Sequence, residues 1–237
     1  MKIMILTTDT HHHTYFVREV MKSFPISGIL TETGSQNAPF DTQHPFEIER
    51  TMYETGIFFN GAIVKLADIY PAIEVTSVND ATSEEHLKLI RPDLVLVFGT
   101  GKIKKKLIDA CPGGFINLHG GNPEEYRGLD THLWAIYHRD FENLIVTLHH
   151  LNEALDDGDI ILQAPISLKR AMKIHEIRRY NTEICIKLAL SAFDMFSRHG
   201  YLISRPQLKR GRYYSSMPGV LKEMCCRTFH KFTDNLQ

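Results

Sequence analysis

Asn117 and His119 stand two residues apart in the run Phe115-Ile116-Asn117-Leu118-His119, and an acidic turn, Leu155-Asp156-Asp157-Gly158-Asp159, follows further along. On a strand, residues two apart share a face, so this amide and this imidazole point the same way. An amide N–H and a protonated imidazole can both donate to a carbonyl oxygen that gains negative charge, and a carboxylate nearby favours the charged imidazole. The chemistry such a set suits is attack on a carbonyl carbon. A bare Asn-x-His also ends ordinary strands, where the histidine only caps the edge, so the functional reading depends on the motifs around it.

Those motifs run in order from Leu94 to Leu168. After Asn-x-His come a Pro123-x-x-Tyr126-Arg127-Gly128 loop, Trp134-Ala135-Ile136 in an expected helix, and Leu155-Asp156-Asp157-Gly158-Asp159-Ile160-Ile161 ahead of a strand. In this order and spacing the chain resembles the folate-dependent formyltransferases, which include the methionyl-tRNA, glycinamide ribonucleotide and sugar N-formyltransferases.

The resemblance implies that Asn117 donates to the oxyanion and that His119 donates in charged form or passes a proton. It implies that Asp156 raises the basicity of His119 and positions a relaying water. It also implies that Phe98, Gly99, Thr100 and Gly101, with Asp157 and Gly158, hold the co-substrate N10-formyltetrahydrofolate. His11, His12, His13, Tyr126, Arg127 and Tyr213 are the candidate acceptor contacts. No metal and no covalent enzyme intermediate are expected.

Differences from each branch narrow the acceptor. The tRNA enzymes carry a separate C-terminal domain that this chain is expected to lack. The purine enzyme has a Gly-Ser-rich phosphate loop where Thr8-Asp9-Thr10-His11-His12-His13 stands, and a His-Pro-Ser-Leu-Leu-Pro segment where His119-Gly120-Gly121-Asn122-Pro123 stands. The remaining branch acts on nucleotide-linked amino sugars. Its implied partners are folate and such a sugar, dTDP-4-amino-4,6-dideoxyglucose foremost, in O-antigen or lipopolysaccharide synthesis. A 3-amino isomer and a GDP-linked perosamine fit the same residues, and a homodimer is the assembly to test.

Two segments keep two readings. The triple histidine lies where open α/β sheets bind ligands and where a helix N-terminus attracts phosphate. Three adjacent side chains at a helix start also fan outward as a solvated face. Tyr213 and Tyr214, beside Arg210 and Arg212, can stack a base or pin a tail to the domain. Two rival activities are a formyltetrahydrofolate hydrolase and a metal-dependent hydrolase built on His119, His149, His150 and the Asp156 to Asp159 cluster. The second is disfavoured because adjacent His149 and His150 face opposite sides of a strand.

The elements that must position these residues form an α/β pattern. Apolar runs at Met1 to Thr7 and Leu94 to Phe98 predict buried parallel strands, and Ile26 to Thr31 predicts a third. Between the first two in sequence, a helix starting at His11 to Thr14 carries Phe16, Val17, Val20, Met21 and Phe24 on one face. Residues 34–45 predict a turn-rich loop and Phe46 to Tyr53 a helix. Ala72 to Val78 predicts a strand, and a helix beginning at Ser83 stops at Pro92-Asp93. Lys102 to Lys106 is read as the exposed face of a helix with Ile103, Leu107 and Ile108.

A helix from Asp130-Thr131, strands at Leu144 to Leu151 and Ile160 to Leu168, and a long helix at Ile174 to Phe196 complete the core. Beyond Gly200 the chain reads as irregular, with one amphipathic helix in the tail. The fold class is therefore α/β, a Rossmann-like doubly wound and mostly parallel sheet with a short C-terminal extension: residues 1–200 as the catalytic domain and 201–237 as an extension packed on it.

The 237 residues carry 27 Lys and Arg against 28 Asp and Glu. That balance supplies no basic field for a nucleic acid. With no membrane-length apolar run and no signal-peptide order, a cytoplasmic protein is expected. Cys111, Cys185, Cys225 and Cys226 are read as reduced thiols, with neither a disulfide framework nor a zinc site.

Overall fold

The computed structural model describes residues 1–34, 38–111 and 113–236, so part of the turn-rich loop and the last residue of the extension lie outside the described residues. Five strands run parallel: β1 (Ile3–Thr7), β2 (Ile26–Glu32), β3 (Ile73–Val75), β4 (Leu94–Phe98) and β5 (Phe115–His119). β6 (Tyr126–Gly128) leaves this sheet. β7 (Ile145–His150) then pairs antiparallel to β5, and β8 (Ile160–Pro165) pairs antiparallel to β7. The order across the sheet is β3-β2-β1-β4-β5-β7-β8, which reverses direction of travel at β1 and so leaves a crevice beyond the carboxyl ends of β1 and β4.

β1 and β4 are buried along their whole length, as continuous apolar runs covered on both faces must be. One face is covered by α1 (His11–Met21), α5 (Thr131–Tyr137), α6 (Ile177–His199) and α7 (Gly219–Asp234), around Phe16, Phe193 and Phe229. The other carries α3 (Ala81–Ile90) and the short α4 (Lys105–Ile108), around Leu87, Leu107 and Phe115. α2 (Phe46–Phe59) packs beside α1. No helix among the described residues is long and apolar enough to cross a membrane.

Several elements differ from the sequence pattern. α2 continues past Tyr53 to Phe59, because Tyr15 stacks on Phe58 at 4.1 Å between ring centroids and gives the extra turns a partner. α1 ends at Met21, so Phe24 reaches Phe193 from the following turn rather than from the helix. Ile103 is buried ahead of α4, not on it.

Beyond Gly200 the chain is less irregular than its composition suggests. β9 (Arg212–Tyr214) pairs parallel with β6, within the Tyr126-Arg127-Gly128 loop, and Arg205 bridges to Ile160 at the start of β8. α7 packs on α5.

Candidate active site

The register of the sheet builds the reactive end of the site. Asn117 on β5 stands directly opposite His149 on β7, and Asn117 Nδ2 donates to His149 Nε2 at 3.1 Å. His149 Nδ1 donates to the His150 carbonyl at 2.7 Å. One N–H of the Asn117 amide is therefore engaged and the other is left for a ligand.

His119, at the end of β5, donates from Nε2 to the Tyr126 carbonyl at 2.9 Å, which turns Nδ1 toward Asp156. Asp156 Oδ1 lies 3.6 Å from His119 Nδ1 and 3.6 Å from His149 Nε2. Both separations exceed a hydrogen bond and suit a shared water. Asn117, His119 and Asp156 thus come from two distant segments and line one cavity of about 440 Å³.

Asp156 is held from four sides. Gly128 N–H donates to its Oδ2 at 2.9 Å. Arg127, itself buried, donates from Nε to the Leu155 carbonyl at 2.9 Å, and Gln207 of the extension donates to the Asp156 and Gly158 carbonyls at 3.0 and 2.9 Å. Gly158 lies against the end of β7, where a methyl group would come within 1.7 Å of the His150 oxygen. Burial alone would raise the Asp156 carboxyl, but the facing His119 and His149, with the Gly128 N–H, outweigh it and hold the group well below the usual carboxylate range. The carboxylate is ionised at neutral pH.

The opposite wall begins where β4 ends. Phe98, Gly99, Thr100 and Gly101 line the cavity with Ile103 and Leu155. Gly99 has φ +84°, and a methyl group there would meet the His13 ring at 2.3 Å. Only glycine lets the turn approach α1 so closely.

That approach overturns the solvated-face reading of the histidines. His12 and His13 are buried, and Thr8 and Thr10 hydroxyls pair with their Nδ1 atoms at 2.7 to 2.9 Å. His13 packs edge-on against Phe98 at 4.4 Å. His12 and His13 line the cavity, whereas His11 lies outside it near Phe59.

The structure places five further candidates away from the cavity wall. Tyr126 is buried, with its hydroxyl donated to Asp140 at 2.9 Å and its ring stacked on Tyr214. Arg127 is spent on the Leu155 carbonyl, Tyr213 is exposed on β9, and Asp157 pairs with Arg210 at 3.3 Å. Gly158 serves the turn. His150 turns away from the cavity that His149 lines, and among the described residues no three His, Cys, Asp or Glu side chains converge as metal ligands.

Sequence reasoning named His149 only as a ligand in the rival metal-dependent reading and missed its place beside Asn117, because that pairing becomes visible only with the antiparallel register. It also missed Arg50 on α2 and Arg178 and Asn181 on α6, all of which line the cavity. No local motif marks them. Asn181 is buried, and its Oδ1 has no partner among the described residues.

Burial of neutral imidazoles fixes a pH dependence of stability. Burial lowers His13 to about 3 and His132 to about 4, and His12 also lies well below its ordinary 6.5. These rings stay neutral when folded but take up protons when the chain unfolds, so stability falls as the pH drops from about 6.5 toward 4. Each contributes a slope of about 1.4 kcal/mol per pH unit in that window. Urea unfolding at a series of pH values should show this slope, shallower by about one proton's worth in His13→Gln. An unchanged slope contradicts neutral burial of His13.

Comparison with known proteins adds to this geometry. The formyl transferase family profile matches residues 59–182, more than half of the chain. The methionyl-tRNA formyltransferase of Anaeromyxobacter sp. (strain K) is 32% identical over 100 residues, covering 42% of this chain and 32% of that protein. That of Borreliella afzelii is 25% identical over 205 residues, covering 85% of this chain and 59% of that protein. The chain spans about a third of the length of the first curated relatives it matches, from 29% to 38%.

Among solved structures, a 4-N formyltransferase from Francisella tularensis superposes with TM-score 0.61 at 16% identity, covering 90% of this chain and 76% of that one. The formyltransferase PseJ from Anoxybacillus kamchatkensis superposes with TM-score 0.56 at 18% identity, covering 91% and 86%. Its structure holds UDP-4,6-dideoxy-4-formamido-L-AltNAc and tetrahydrofolate. At these identities the likeness is one of fold.

Proposed function

Because the chain belongs to the formyl transferase family, we propose that it moves a formyl group from N10-formyltetrahydrofolate to the amine of a nucleotide-linked amino sugar, the 4-amino-4,6-dideoxyhexoses first. The observation that carries this reading is the convergence of Asn117, His119 and Asp156 on one cavity beside a glycine-gated apolar slot. A flat pterin fits beside Phe98 to Gly101, where the positive φ of Gly99 turns the chain along the cavity wall. The sugar acceptor draws support from the fold-level likeness to the Francisella and Anoxybacillus enzymes. The dTDP carrier and a role in O-antigen synthesis belong to this proposal, as does a homodimer.

When bound, the folate supplies an activated amide at its N10 nitrogen. The chain's residues then divide the work. The free N–H of Asn117 donates to the formyl oxygen as charge builds on it, and His119 places a second positive group beside that oxygen when Nδ1 is protonated. Ionised Asp156 faces His119 Nδ1 at 3.6 Å and holds the water that relays a proton. The amine nitrogen gains a bond to the formyl carbon and loses a proton; N10 loses its bond to that carbon and gains one. No residue need form a covalent intermediate.

A second reading keeps the chemistry and changes the acceptor to methionyl-tRNA, favoured by the names of the curated relatives. One experiment decides. The full chain is incubated with formyl donor and, in separate arms, a panel of dTDP-, UDP- and GDP-linked amino sugars, methionyl-tRNA, or buffer alone. Products are read by mass and formate release. A formyl gain on an amino sugar is the expected result. Modification of the tRNA alone, or formate release that no acceptor alters, overturns the sugar assignment, and the second result identifies a hydrolase.

A further inference from the structure

Arg50 and Arg178 line the same cavity as Asn181. Arg178 is already paired: its Nε donates to Oε1 of the fully buried Glu54 at 2.6 Å. Arg50 is not paired in this way. Its guanidinium lies over the Phe46 ring and comes no nearer than 3.5 Å to Glu47, whose same oxygen takes the buried Lys222 ammonium at 3.0 Å. Arg50 Nε is buried and has no acceptor among the described residues.

Three cations, Arg50, Arg178 and Lys222, therefore share two carboxylates, Glu47 and Glu54. The next carboxylate on the cavity wall, Asp130, spends Oδ2 on the Met217 N–H at 2.8 Å. Burial and the neighbouring Arg178 lower Arg50 to about 10, which leaves it charged at neutral pH. A half-buried cation with a buried spare donor, and with only a shared carboxylate in reach, marks a place where an incoming anion supplies the missing partner.

We propose that Arg50 and Arg178 form an oxoanion subsite that takes the phosphate or pyrophosphate joined to the acceptor sugar. This subsite deepens the formyl-transfer reading and rests on it. α6 supplies the ruler between its two ends. Asn181 lies one helical turn beyond Arg178 on the same face. Its unpartnered Oδ1 sits 3.2 Å from where a methyl on Gly120, the residue after His119, would be. An acceptor lying along α6 puts its anionic end at the arginines and a hydrogen-bond donor, its amine or a hydroxyl, at Asn181. Guanidinium groups suit such a site because each offers several donors to one oxoanion.

Arg50 is the residue to test, since replacing Arg178 would orphan buried Glu54. Binding of inorganic pyrophosphate and of tetrahydrofolate to the full chain is measured by calorimetry for the wild type, Arg50→Gln and Arg50→Lys. Pyrophosphate binding is expected in the wild type, weakened by added salt, to fall at least tenfold in Arg50→Gln and to persist in Arg50→Lys, with folate affinity equal in all three. Equal pyrophosphate affinity in Arg50→Gln, or none in the wild type, overturns the subsite. Loss of folate affinity in its place also overturns it and assigns the cations to the folate's own carboxylates. Because the readout is binding, lack of turnover with every amino sugar alongside intact pyrophosphate binding refutes the sugar reading and leaves the anion site standing.

Discussion

Asp156→Asn lowers turnover by about a hundredfold to ten-thousandfold, the range spanned by a lost acid–base group, while the protein stays folded. The substitution is chosen for what it keeps. An Asn side chain still accepts the Gly128 N–H that Asp156 takes at 2.9 Å, and it tolerates the left-handed backbone that Asp156 adopts at φ 50°. What it removes is the negative charge facing His119 Nδ1 at 3.6 Å. His119 Nδ1 then no longer faces a carboxylate, and the relaying water loses its charged acceptor. Single-turnover formyl transfer and an unfolding midpoint measured on the same sample separate chemistry from stability. Turnover within threefold of wild type, with the midpoint unchanged, removes Asp156 from the proposed mechanism.

Arg178→Ala has the largest effect on stability. Glu54 is fully buried and its carboxylate is held by the Arg178 fork, so the truncation leaves a buried charge without its partner. Breaking such a pair costs about 3 to 5 kcal/mol. For a chain of this size that lowers the thermal midpoint by about 6 to 20 °C. The double variant Arg178→Met with Glu54→Leu, which removes both charges and keeps apolar volume, is expected to recover most of the loss. Failure of the double variant to regain stability shows that packing of the arginine stem, rather than the charge, sets the cost.

Much of the fold was legible because its central strands are continuous apolar runs. Ile3 to Thr7 and Leu94 to Phe98 can be little else than strands buried on both faces, and the α/β class follows from their alternation with amphipathic helices. Asn117 and His119 share a face by strand geometry alone. Asp156 was assigned by resemblance, because nothing local distinguishes it from Asp157 or Asp159.

What stayed hidden depends on contacts between distant segments. Three-residue β6 and β9 pair across more than eighty positions, too short and too remote for any periodicity to reveal. For His12 and His13 the solvated-face reading stood beside the acceptor reading, because a sequence does not show that the turn after Phe98 presses against the start of α1. Arg127, singled out as an acceptor contact, instead anchors the loop that carries Asp156. A motif indicates that a residue matters without indicating which atom it serves.

The rung of the ladder on which Asn117 faces His149 divides the molecule into parts free to change at different rates. Sliding β7 by one position would bring Leu148 or His150 opposite Asn117, so the reactive end is as rigidly set as the sheet. The arginines and Asn181 lie on α2 and α6, outside that lattice of main-chain bonds. Exchanging Arg50 and Asn181 on those two helices, with the buried Arg178–Glu54 pair kept, is the route to retuning which acceptor is admitted while the bond-making atoms stay where the strands hold them. Laboratory diversification aimed at new acceptors should begin there and leave β5 and β7 intact.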